Sequence, residues 1–276
     1  MRIWIKLIIF MFIGWILPLQ CAESVFIIIH GTWGLESNWY MPGGDFFDTL
    51  ESIVCVKDSA VVPFCWSGGC GHESRLKAAH NLVKLIKTYD PSIAIYIIAH
   101  SHGGNVGTLA SQILSCDKCN KHKIRGLYTL GTPIMSNYLP NMDVILYVYN
   151  LFSLEDLVQP VLGISLREFP HHKRIANLRV FIDGKEPGHV SLHDKAVAQW
   201  LPFIHRKFKQ FLWQHDIYNT IAEPSIIYFD YTKAPEFVRD TERETLLARD
   251  RQLSVAMVNY FRSSLDTGSN IPLMNR

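Results

Sequence analysis

The sequence carries almost no excess charge of either sign. Its 27 Lys and Arg against 25 Asp and Glu leave a formal net charge of +2. It has no basic stripe interleaved with aromatics. A chain built to neutralise a phosphate backbone is thereby excluded, and no nucleic-acid partner is expected. Internal repeats, low-complexity tracts and a G-x-x-x-x-G-K phosphate loop are all missing, which argues against a P-loop nucleotide site. Cysteine is sparse. Of the six, Cys116 and Cys119 form a C-x-x-C pair, but no second pair stands at zinc-site spacing. A disulfide or free thiols in a loop is the reading there. In an oxidising compartment a bridge such as Cys65 to Cys70 is open to the chain.

Apolar material is plentiful, at 48% of 276 residues. That suits one large core with an appendage. The N-terminus has its own composition. Arg2 and Lys6 precede an apolar run from Leu7 to Leu17, and Pro18-Leu19-Gln20-Cys21-Ala22 follows. This is the order of a secretory signal, and cleavage is expected near Ala22. The run is short for a bilayer span, and Gln20 stands where a lipoprotein signal wants a small residue. Residues 1–22 therefore read as a signal peptide or membrane anchor, 23–213 as the main domain and 214–276 as a partly helical C-terminal extension. The protein is expected to be exported, whether periplasmic, secreted or membrane-anchored.

Six apolar, β-branched runs read as strands: Val25–Ile29, Ala60–Phe64, Ile93–Ala99, Ile124–Leu130, Val144–Tyr149 and Leu178–Ile182. Most are separated by helix-length segments, such as Glu73–Lys87 with Leu76, Ala79, Leu82, Val83 and Ile86 on one face. That alternation predicts an α/β fold with a mostly parallel sheet flanked by helices. Phe46, Phe47 and Leu50 read as the inner face of a short helix, or with Trp39 and Tyr40 as the wall of a pocket. Leu192–Trp213 is amphipathic, with Pro202 expected to split or kink it. In the extension, Ile226–Tyr231 reads as an edge strand. Glu236–Phe261 reads as a charged helix with Leu246, Leu253, Met257 and Tyr260 on one side.

The third strand runs into Ala99-His100-Ser101-His102-Gly103-Gly104 and then a helical pattern, Val106, Leu109, Ala110, Ile113 and Leu114. Strand, tight turn with Ser at its tip, helix: this is nucleophile-elbow geometry, G-x-S-x-G with Ala99 at the first position. Alternatively Ser101 is a plain N-cap. A Ser hydroxyl needs a base to take its proton and a carboxylate to orient that base. Asp156 follows the fifth strand and His189 the sixth, where open α/β sheets build their sites. The rivals are His193 as base, and Asp183, Asp143 or Glu155 as carboxylate. The Thr32 amide, in His30-Gly31-Thr32-Trp33-Gly34, and the His102 amide are candidate oxyanion donors, with Trp33 the alternative to Thr32.

With Leu130-Gly131-Thr132-Pro133 and Phe64-Cys65-Trp66-Ser67-Gly68 before a helix, the ordered set over residues 25–213 resembles serine hydrolases of the α/β-hydrolase superfamily. The likeness is to its lipase and esterase-like branches. The resemblance implies a Ser101, Asp156, His189 triad and carboxyl-ester hydrolysis through an acyl-enzyme, with no metal and no organic cofactor. The expected partner is a small-molecule or lipid ester, with association at a membrane surface. Amidase, thioesterase or acyltransferase chemistry fits the same scaffold. A non-catalytic binding module needs none of the three triad side chains.

Overall fold

The computed structural model describes residues 23–54, 59–159, 166–215, 225–242 and five positions beyond: Thr245, Ala248, Gln252, Val255 and Asn259. The expected export segment, 1–22, lies outside the described residues. No helix among those described is long and apolar enough to cross a membrane.

Eight strands form one sheet: β1 (Ser24–Ile29), β2 (Ser59–Phe64), β3 (Ala94–His100), β4 (Ile124–Leu130), β5 (Val148–Phe152), β6 (Ile175–Ile182), β7 (Ser225–Phe229) and β8 (Glu236–Arg239). Their order is β2-β1-β3-β4-β5-β6-β7-β8. All neighbours are parallel except β7 and β8. The helices are α1 (Asp45–Val54), α2 (His72–Ile86), α3 (His102–Cys116) and α4 (Lys195–Gln214). On β1, Phe26 and Ile28 pack with α1 and α4, whereas Val25, Ile27 and Ile29 pack with α2 and α3. A strand buried on both faces reads as a continuous apolar run, which is why β1 shows no polar alternation. This is the mostly parallel, helix-flanked sheet that the resemblance implies. It brings the ends of β1, β3, β4, β5 and β6 to one edge.

Several expectations need correction. The strand expected over 144–149 starts at Val148, because Val144 and Ile145 close a turn on the Asn141 carbonyl. Pro202 does not split α4. Its buried face, Ala198, Leu201, Ile204 and Phe208, holds the helix continuous. The domain boundary at 213 cuts the sheet: β7 pairs with β6 and buries Ile227 and Phe229. The helix expected from Glu236 begins as strand β8. Phe237 packs its ring 5.1 Å from Phe208, and tertiary pairing overrides the local pattern. Thr245, Ala248, Gln252, Val255 and Asn259 are helical and exposed, while Leu246, Leu253, Met257 and Tyr260 lie outside the described residues. The Cys65–Cys70 bridge is not formed. Both are free thiols, as are Cys116 and Cys119, and the Cys65 Sγ turns instead to the Met41 Sδ, 3.9 Å away.

Candidate active site

Ser101 stands between β3 and α3 with φ 53° and ψ −133°. An L-residue adopts such a backbone only where its surroundings impose it. Here they do. The Ser101 amide donates to the Leu130 carbonyl at 2.9 Å, and the Ser101 carbonyl accepts from the Thr132 hydroxyl at 3.0 Å and from the Gly104 amide. Gly103 lies so close to β1 that a Cβ would fall 2.6 Å from the His30 carbonyl oxygen. Among the described residues the Ser101 Oγ has no hydrogen-bond partner.

The Asp156 side chain is fully buried. Its Oδ1 accepts from the Val158 and Gln159 amides at 2.9 and 3.3 Å. Its Oδ2 meets the His189 Nδ1 at 2.7 Å. A carboxylate on Nδ1 holds that nitrogen protonated and leaves Nε2 with the lone pair. Gly131, at φ +60°, makes room for the pair: a Cβ there would sit 2.9 Å from the Asp156 Oδ2 and 3.1 Å from the His189 Nδ1.

None of the rivals takes part in the Asp156–His189 pair. His193 stacks on Trp39, with ring centres 4.3 Å apart and planes 9° apart, and burial lowers its pKa to about 4. Asp183, Asp143 and Glu155 are exposed. Asp183 closes the turn after β6 at φ 48°. Phe46, Phe47 and Leu50 are core residues of α1; of the expected aromatic wall, Trp39 packs against His100 and His193 and Tyr40 against His30. The choice between Thr32 and Trp33 as amide donor also narrows. The Trp33 amide donates to the Gly68 carbonyl at 3.1 Å, whereas among the described residues the Thr32 amide meets no acceptor. The Thr32 hydroxyl pairs with the His102 Nδ1 at 2.8 Å. Burial first, then the positive charge of Arg75, lowers the His102 pKa to about 4. A Cβ on Gly31 would fall 2.7 Å from the Ser101 Cβ, so the loop after β1 touches the elbow.

Three supporting residues carry no signal in the sequence. Arg167, buried, donates to the carbonyls of Ser153, Leu154 and Asp156 and to the Gln159 Oε1. Gln159 in turn donates to the Thr132 carbonyl at 2.7 Å. Glu186, paired with Arg179, accepts from the Ser153 hydroxyl and, at 2.7 Å, from the Leu154 amide. Together they brace the loop that presents Asp156. Their partners, backbone carbonyls and amides together with the side chains of Arg179, Ser153 and Gln159, are brought near only by the fold, so no residue-type pattern announces them. Among the described residues no cluster of His, Cys, Asp or Glu is arranged to hold a metal ion.

No protein-family model matches the chain, and no curated protein does. Among solved structures, the chain is similar to a putative hydrolase of the α/β superfamily from Xanthomonas campestris pv. campestris. That match has 14% identity and a TM-score of 0.42, covering 69% of this chain and 99% of that one. A cutinase-like protein from Cryptococcus sp. matches at 12% identity and a TM-score of 0.42, over 67% and 93% of the two chains. A Trichoderma reesei cutinase matches at 18% identity and a TM-score of 0.33, over 42% and 54%.

Proposed function

We propose that the chain is a serine hydrolase acting on carboxyl esters. The observation that carries this reading is the Asp156–His189 hydrogen bond at 2.7 Å, set beside a serine held in an elbow at a helix N-terminus. In this reading Ser101 is the nucleophile. His189 Nε2 takes the proton of the Ser101 hydroxyl as the oxygen attacks the ester carbonyl, and Asp156 holds the imidazole in the required tautomer and offsets its charge. The tetrahedral oxyanion forms beside the Thr32 and His102 amides, with the dipole of α3 adding to its stabilisation. Collapse expels the alcohol, which takes its proton from His189. Water, deprotonated by the same ring, then frees the acid from the acyl-enzyme.

The substrate side of the reading is an apolar acyl ester. Loops at the carboxyl edge of the sheet expose Trp33, Leu157, Leu166 and Val190, the first at 79%, and large apolar side chains left in water around a site favour apolar ligands or lipid surfaces. Export of the mature enzyme after cleavage near Ala22 belongs to the same reading. N-terminal sequencing of the secreted or membrane fraction tests it, and an intact Met1 on the mature protein would exclude cleavage.

A fluorophosphonate probe, which bonds covalently only to an activated serine, tests the chemistry directly. Wild type is expected to be labelled and to hydrolyse p-nitrophenyl esters of graded chain length, and Ser101→Ala to lose both. Near-normal turnover in Ser101→Ala, or no labelling of wild type, overturns the assignment.

A further inference from the structure

Three loops and the nucleophile strand meet at the site, joined by three ties. The loop after β4 and the Asp156 loop join through Thr132 and Gln159. The Asp156 and His189 loops join through the Asp156–His189 pair and Glu186. The third tie runs from the nucleophile strand to the base: the His100 Nε2 lies 3.0 Å from the main-chain carbonyl oxygen of His189. A carbonyl only accepts, so Nε2 carries the hydrogen.

We propose that His100 is a positioning residue for the base, its Nε2–H gripping the His189 carbonyl so that the imidazole is held in register with Ser101. The proposal rests on the roles assigned above to Ser101 and His189.

His189 opens a single turn of 3-10 helix, Val190–His193, between the exposed residues Gly188 and Val190. Its ring is fixed at one atom by Asp156. A ring held at one atom pivots about that bond, and a second hold on its own main chain removes the freedom. His100 is built for the task. It is 7% exposed, and its ring packs against those of His189, His193 and Trp39 at 4.6, 4.8 and 5.8 Å. Its other nitrogen, Nδ1, faces Gly31, where a Cβ would fall 3.3 Å away. The ring therefore has one nitrogen to spend, and it is aimed at the base. Burial and the neighbouring His189 and His193 keep its pKa well below the usual value, so the grip does not depend on a charge. Because His100 directly precedes Ser101, any shift at the end of β3 carries the nucleophile and the anchor of the base together.

The test compares His100→Phe, which keeps a ring of similar breadth without a donor, with His100→Gln, whose amide nitrogen reaches about as far as Nε2. On a soluble p-nitrophenyl ester, His100→Phe is expected to lower kcat by about 10- to 100-fold with KM little changed, the scale of a base displaced by a fraction of an ångström to one ångström. His100→Gln is expected to recover most of that loss. Should the Phe variant not fold, His100→Asn, too short to reach, takes its place against Gln. A donor-free variant within about twofold of wild type, or equal impairment of the donor and donor-free variants, overturns the proposal. If wild type is neither labelled by a fluorophosphonate nor active, the serine-hydrolase reading has failed instead.

Discussion

At Ser101 the backbone itself encodes the local geometry. The φ of 53° is imposed by hydrogen bonds on both sides of the peptide, from the Ser101 amide to Leu130 and from Thr132 to the Ser101 carbonyl. That Ser101, Asp156 and His189 follow the ends of β3, β5 and β6 was legible, because apolar runs mark those strands and each residue stands just past one of them. The choice between His189 and His193 was not, since four residues of separation along an unassigned turn leaves either ring facing the serine. Space settles which one meets Asp156: His193 lies flat on Trp39 instead. Two outcomes follow. Asp156→Asn, by favouring the wrong tautomer of His189, is expected to cost on the order of 10⁴-fold in kcat while leaving the fold intact. His189→Ala is expected to lose far more activity than His193→Ala, and steady-state kinetics showing the reverse order would transfer the role of base. Gly131→Ala is a third probe. Its Cβ would press on both Asp156 and His189 at an unfavourable φ, so activity is expected to fall together with a stability loss of about 1–3 kcal/mol.

Elements were legible where apolar runs are long and bounded by glycine or proline, as in β1 and β3. They were less so where pairing decides. The stretch Ile226–Phe229 is short, and Glu236–Arg239 begins a charged segment. Ile226–Tyr231 was readable as a strand but not as an interior one: β8 pairs on its far side, and only contact with β7 and with Phe208 makes Glu236–Arg239 the outermost strand. A tail would be dispensable, whereas β7 is not. It takes the ladder of β6 and covers the sheet with Ile227 and Phe229. Truncation after Trp213 is therefore expected to leave an open, apolar β6 edge and an aggregating chain. A stop after Arg239 would retain all eight strands and is expected to keep a cooperative thermal transition. Soluble expression and a sharp melt of the shorter form would show that the sheet closes without β7.

Across the whole molecule, five histidines share one property that no sequence pattern displays. His102, His193 and His205 have pKa values lowered to about 4, chiefly by burial. His30 and His100 are also lowered by burial. All five fold as neutral rings. Once the chain unfolds they regain an ordinary value near 6.5. Between about pH 4 and 6.5 the unfolded chain thus binds more protons than the folded one, and stability rises with pH. The contribution is complete about a unit above pH 6.5 and is lost progressively as pH falls through 6.5 towards 4. The carboxylates held low by hydrogen bonds, Asp90, Asp117 and Asp230, act below that window. Urea-unfolding midpoints are therefore expected to be level above about pH 7.5, to begin falling as pH passes through about 6.5 and to decline steadily to about pH 4.5. His193→Phe, which keeps a ring on Trp39 but cannot take a proton, is expected to reduce the slope by about one proton. A midpoint that holds level down to pH 5, or a slope unchanged in that variant, would mean that these histidines are protonated in the folded protein.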